Sequence, residues 1–128
     1  MEGEWSRELE PEYVLMFEKL IVKANNLPNA IKVGGIGVVH AECPLQDWDL
    51  LAIDSGRYLR EEGMWSRKRI SSQTQWRVRG VEAVVVGHTP IKEVTVLGNH
   101  VYLDSGSCFY DRPLIIKTYE EVLQYVHP

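Results

Sequence analysis

An apolar run, Val84-Val85-Val86, ends abruptly in Gly87-His88-Thr89-Pro90, and a second, Ile36-Gly37-Val38-Val39, runs into His40. That is how a buried strand delivers one imidazole to a site at its carboxyl end. Two strand-end histidines in so short a chain suggest a shared divalent metal, because neutral imidazole binds Zn, Mn or Fe well. Arg67, in Trp65-Ser66-Arg67, would suit a phosphate oxyanion beside such a metal, through bidentate hydrogen bonds and permanent charge. Glu42, two residues past His40, and Asp104-Ser105-Gly106 complete the set of strand-end and loop features where a rigid sheet can aim side chains at one point.

Each feature also has a structural reading. A single strand-end histidine is commonly a hydrogen-bonded core residue. Arg67 opens the run Arg67-Lys68-Arg69, and short basic runs usually face solvent. Asp104-Ser105-Gly106 reads equally as a turn that closes a strand, with glycine at positive φ. Gly98-Asn99-His100 resembles a metal motif, yet its place between two apolar segments makes it a hairpin tip. Cys43, three residues after His40, has a zinc-like spacing without a second paired motif.

The elements that must position these residues follow from periodicity and turn signals. Val14, Phe17, Leu20 and Ile21 repeat at helical spacing and predict a helix over Pro11 to Ala24, stopped by Asn25-Asn26-Leu27-Pro28. A hairpin is expected from Ala30 to Val33 and Ile36 to His40, turning at Gly34-Gly35. Residues 41–80 hold more charge and three tryptophans, and predict short helices near Asp47 to Ile53 and Ser55 to Glu62, then a polar connection from Ser71 to Gly80. Strands are expected at Ala83 to Val86, Glu93 to Leu97, Val101 to Asp104 and Leu114 to Thr118, with a closing helix over Tyr119 to Val126. The order is helix, β-pair, helical insertion, β-meander: an α+β chain.

The 128 residues make one domain, and 45% apolar composition supplies a real core. A net charge of -4 argues against a general nucleic-acid binder, which needs a basic surface. No apolar run approaches the roughly 20 residues that span a bilayer, so no membrane partner is expected. The acidic start, Met1-Glu2-Gly3-Glu4-Trp5, has no apolar h-region. Two cysteines, Cys43 and Cys108, do not make a disulfide framework, so a reduced, cytoplasmic setting is expected.

In order along the chain, Gly3-Glu4-Trp5, Val38-Val39-His40-Ala41-Glu42-Cys43-Pro44, Met64-Trp65-Ser66-Arg67-Lys68-Arg69-Ile70, Val86-Gly87-His88-Thr89-Pro90 and Val101-Tyr102-Leu103-Asp104-Ser105-Gly106 can be set against one family. Together they resemble the carboxyl-terminal half of a bacterial or phage serine/threonine protein phosphatase, of the calcineurin-like metallophosphoesterases. The resemblance implies that His40 and His88 bind the same one of two divalent metals, with Mn favoured over Zn or Fe. It also implies that Arg67 grips the substrate phosphate, while Asp104 and Gly106 form a structural strand-end turn. In the complete family two metals about 3.5–4 Å apart activate a water for in-line attack on a phosphomonoester.

The family's first half carries Gly-Asp-x-His-Gly, Gly-Asp-x-x-Asp-Arg-Gly and Gly-Asn-His-Glu, which supply the bridging aspartate, the other ligands, a second arginine and the general-acid histidine. None of these is in this sequence, and it opens where the third would just have ended. The expectation is a truncated phosphatase, inactive or very weak alone, with its metal loosely held. Half of a β-sandwich leaves an apolar sheet face uncovered, so a complementing amino-terminal fragment or self-association is expected. Two other readings compete: a non-catalytic protein-binding module of the same ancestry, and a zinc-stabilised protein using His40, Cys43, His88 and Cys108.

Overall fold

The computed structural model describes residues 10–53 and 56–128. Gly3-Glu4-Trp5, and Ser55 at the head of an expected helix, lie outside them. Helix α1 runs Pro11–Asn25 with Pro11 in its first turn, where the missing N–H costs nothing. No residue of α1 is buried. Strands β1 (Ala30–Val33) and β2 (Ile36–Val39) form the expected hairpin. Gly34 takes the positive φ of 57° in its two-residue turn, and Val33 pairs Ile36. A 3-10 helix (Trp48–Ala52), α2 (Arg57–Trp65) and the short α3 (Lys68–Ser72) follow, the last being unexpected from the sequence. Strands β3 (Ala83–Val86), β4 (Thr95–Leu97) and β5 (His100–Tyr102) and helix α4 (Tyr119–Val126) complete the described elements.

The chain is α+β, built on one five-stranded mixed open sheet in the order β1-β2-β3-β5-β4. The expected meander is therefore corrected: β3 pairs β5, in parallel, and β4 folds back onto the outside of β5. The physical reason is burial. Strand β3 is apolar at every position, as a central strand must be, whereas Thr95 and Val96 of β4 are half-buried and suit an edge. No strand forms at Leu114 to Thr118. Thr118 instead caps α4, its hydroxyl accepting from the Glu121 N–H while the Glu121 carboxylate accepts from the Thr118 N–H at 2.7 Å. That capping box fixes the chain at the place the strand would have ended.

The two faces of the sheet are covered unequally. On one, Val39, Val84, Val86 and Tyr102 pack with Trp48 and Val78. Gly37 is required there, because the Trp48 ring occupies the space a Cβ would take. On the other, α4 lays Val122 and Val126 over Ile36, Ala83 and Val101. It stops short of Val38, Val85 and Leu103, which stay half-buried. Among the described residues no helix is long and apolar enough to cross a membrane.

Candidate functional site

Strands β2 and β3 are parallel neighbours, Val38 facing Val85, and the His40 carbonyl continues the ladder by accepting from the Gly87 N–H at 2.8 Å. Both strands thus end at the same level, one strand spacing apart. That is why His40 and His88 meet. Their Nε2 and Nδ1 atoms lie 3.1 Å apart, with ring centroids 4.9 Å apart. Strand β5, parallel to β3, ends beside them, and Asp104 follows it close enough that a Cβ at Gly87 would lie 3.7 Å from the Asp104 side chain. Three parallel strands therefore end side by side, with His40, His88 and Asp104 following at that end of the sheet.

His88 adopts φ 65°, one of two non-glycine residues with positive φ among those described. The left-handed conformation costs a side chain about 1 kcal/mol or more, and such strain collects at functional sites. Burial, and then the nearby His40 and Arg67, push the His88 imidazole below its ordinary value, against a smaller upward pull from the Trp65 backbone and Asp104. That direction favours the neutral imidazole, the form that can ligate. Trp65 stands edge-on to His88, with ring centroids 5.9 Å apart, and is 75% exposed.

Arg67 sits at the junction of α2 and α3 and is exposed. Its position is set from below. Gly63 lets α2 pack close to Val39, and the Gly63 carbonyl accepts from the Ala41 N–H at 2.7 Å. Glu42 is buried, and its carboxylate accepts from the Arg69 N–H at 3.0 Å in the first turn of α3. Glu42 thus ties the loop after His40 to the segment bearing Arg67 and does not turn to the imidazoles as a ligand. The basic run divides into three roles. Arg67 faces solvent by the histidines, Lys68 pairs with Glu62 at 2.7 Å, and Arg69 is buried. The Arg69 Nη1 donates to the Thr74, Trp76 and Leu97 carbonyls while its guanidinium stacks 4.0 Å from the Trp76 ring centre.

At this separation the two imidazole nitrogens are hydrogen-bonded to each other, and a shared cation would have to replace the proton between them. With each nitrogen about 2.0–2.1 Å away, they would subtend an angle of about 100°, slightly under tetrahedral. Among the described residues no group of three His, Cys, Asp or Glu side chains is placed to hold a metal. Cys43 is buried with its sulfur against the Leu45 carbonyl, burial pushes its thiol up, and Cys108 is exposed. Neither cysteine joins the histidines in a metal-holding group, so the four-residue zinc arrangement is not assembled.

Gly98-Asn99-His100 is the hairpin tip between β4 and β5, as its position predicts, but both polar residues do structural work the sequence did not announce. The fully buried Asn99 amide accepts from the Val78 N–H at 2.8 Å and donates to the Val78 carbonyl at 2.9 Å, tethering the strand-less segment before β3. His100 Nε2 accepts from the Cys43 N–H at 3.0 Å, holding the loop that follows His40. Asp104 Oδ1 accepts from the Gly106 N–H at 2.8 Å, and Gly106 takes φ 69°, the strand-end turn expected there. No protein-family model and no curated protein matches this chain.

Proposed function

We propose that this chain is the carboxyl-terminal half of a metallophosphoesterase site of the serine/threonine phosphatase type, and that it works on phosphomonoesters when an amino-terminal half completes it. The observation that carries the reading is the convergence of His40 Nε2 and His88 Nδ1 at 3.1 Å from the ends of adjacent parallel strands, with Arg67 near enough to depress His88. His40 and His88 would hold one divalent ion, Mn, Zn or Fe. Such an ion supplies Lewis-acid polarisation of a phosphoryl oxygen. Arg67 would orient the phosphate through its guanidinium fork, and the Glu42 carboxylate anchors the first turn of the helix that follows it.

Two imidazoles alone bind weakly, and among the described residues no carboxylate stands with them as a bridging ligand. The lone chain is therefore expected to bind Mn or Zn feebly and to turn over nothing efficiently. The test is complementation. The chain is mixed with a polypeptide bearing Gly-Asp-x-His-Gly, Gly-Asp-x-x-Asp-Arg-Gly and Gly-Asn-His-Glu, in Mn, and p-nitrophenyl phosphate hydrolysis is followed. Turnover should require both chains and fall at least about tenfold with His40→Ala, His88→Ala or Arg67→Ala. No gain on mixing, together with unchanged Zn titration calorimetry in His88→Ala, would remove the reading.

A further inference from the structure

A trough of about 730 Å³ runs along the part of the sheet that α4 leaves uncovered, floored by Ile31, Val38, Val85 and Leu103. Ala24, Leu27 and Pro28, the root of α1, form its wall, and His40 and Asp104 stand at its end. The same chain carries an apolar helix without a groove. Tyr13, Val14, Met16, Leu20 and Ile21 share one side of α1 and are all at least 38% exposed; Leu15 and Val22, on the opposite side, are exposed as well.

We infer that α1 of one copy packs in the trough of a second copy, reciprocally, so that the lone chain is a two-fold dimer. This does not depend on the phosphatase reading. The dimensions agree. The trough crosses β1, β2, β3 and β5, three strand spacings or about 14 Å, and ten residues of helix such as Tyr13 to Val22 span about 15 Å. The area agrees too. If the exposed parts of the five side chains average roughly 65 Å² each, two helices and two shallower trough faces bury on the order of 1,000 Å², about what a specific interface needs. Continuity picks a second copy as the occupant. The helix leaves at the rim of the trough yet does not lie in it, so a two-fold axis through that rim sets each helix over the other's sheet, an isologous contact that closes.

Sedimentation equilibrium on the full chain, from about 1 to 200 µM, reads the outcome. The wild type should give twice the chain mass. Leu20→Glu and Met16→Lys alter only exposed helix positions, and Ile31→Asp alters an exposed trough position, so each should keep its circular dichroism. Each should weaken dimerisation at least tenfold. An equimolar mixture of Leu20→Glu and Ile31→Asp should regain mass that neither shows alone, because one brings an intact trough and the other an intact helix. A monomer throughout the range overturns the inference, whether α1 then closes on its own trough or on something else. So does a dimer that survives both kinds of variant, which would indicate pairing through a sheet edge, or a mixture that recovers nothing.

Discussion

His100 should make this fold acid-sensitive in a way one substitution can isolate. Its ring is completely buried, with Nε2 accepting from the Cys43 N–H, so the neutral tautomer carries its proton on Nδ1, which has no partner among the described residues. Burial, and then the charge of Arg69, push the imidazole down from 6.5 to about 3. The sign follows from proton counting. Below 6.5 the unfolded chain takes up a proton that the folded chain refuses until about 3, so stability is full above 6.5 and drains away as pH falls through that window. Each pH unit inside it costs about 1.4 kcal/mol, hence about 2 kcal/mol between pH 6.5 and roughly pH 5, a large share of the ~5–15 kcal/mol that holds a domain. His100→Gln keeps a carbonyl oxygen for the Cys43 N–H and removes the titration. It should be less stable than wild type near neutrality by about 1 kcal/mol from imperfect packing, yet lose about 1.4 kcal/mol less per pH unit below about pH 6.5. Urea unfolding followed by tryptophan fluorescence at about pH 7.5, 6.5 and 5 measures both quantities. His40, His88 and His127 are present in both proteins and cancel in the difference. Parallel pH dependences for the two proteins would refute the assignment of a buried, neutral His100.

Two further outcomes follow from geometry at the site. Because His88 holds φ 65°, His88→Gly should be about 1 kcal/mol more stable than His88→Ala, the reverse of the usual glycine penalty; an alanine variant of higher urea midpoint would place no strain there. Arg69→Met strands three carbonyl acceptors and loses the Trp76 stack, and should cost about 2–4 kcal/mol, whereas Arg67→Met on the exposed neighbour should stay within about 0.5 kcal/mol; equal losses in thermal or urea melts would dissolve the distinction between them.

What the sequence made legible was whatever local signals determine. Proline at the start of α1, the Gly34-Gly35 turn and the Gly98-Asn99 turn placed three elements within a residue or two, and two apolar runs ending in histidine pointed to the meeting of His40 and His88. Strand order was not legible, because period and propensity describe each strand alone, and whether β3 takes β4 or β5 as its neighbour is decided by which strand is fully buried. The strand expected at Leu114 to Thr118 failed for a local reason that the pattern did contain: Thr118 and Glu121 have capping-box spacing, and the cap outweighed the alternation. Arg69, Asn99 and His100 were missed for the opposite reason. Each resembles a surface or ligand residue in sequence, and only the long-range partners, at Trp76, Val78 and Cys43, turn them into buried connectors. The positive φ of His88 carried no sequence signal beyond the glycine before it.

The trough and the histidine pair are not independent features of the fold. His40 and Asp104 line both, since the strands whose ends carry the site are the strands whose sides floor the groove. Anything that lies along Val38, Val85 and Leu103 therefore removes water beside the imidazoles. Drier surroundings strengthen the attraction between Arg67 and a phosphate and hold His88 more firmly in its neutral form. A completing polypeptide would thus do two things in one act: cover the sheet and sharpen the chemistry at its end. A second copy that covers the same sheet with α1 excludes that polypeptide, and by mass action its apparent affinity falls in proportion to the dimerised fraction. Under these two proposals, self-association and completion compete for one surface, so the apolar face controls access to the histidine-bearing end of the sheet.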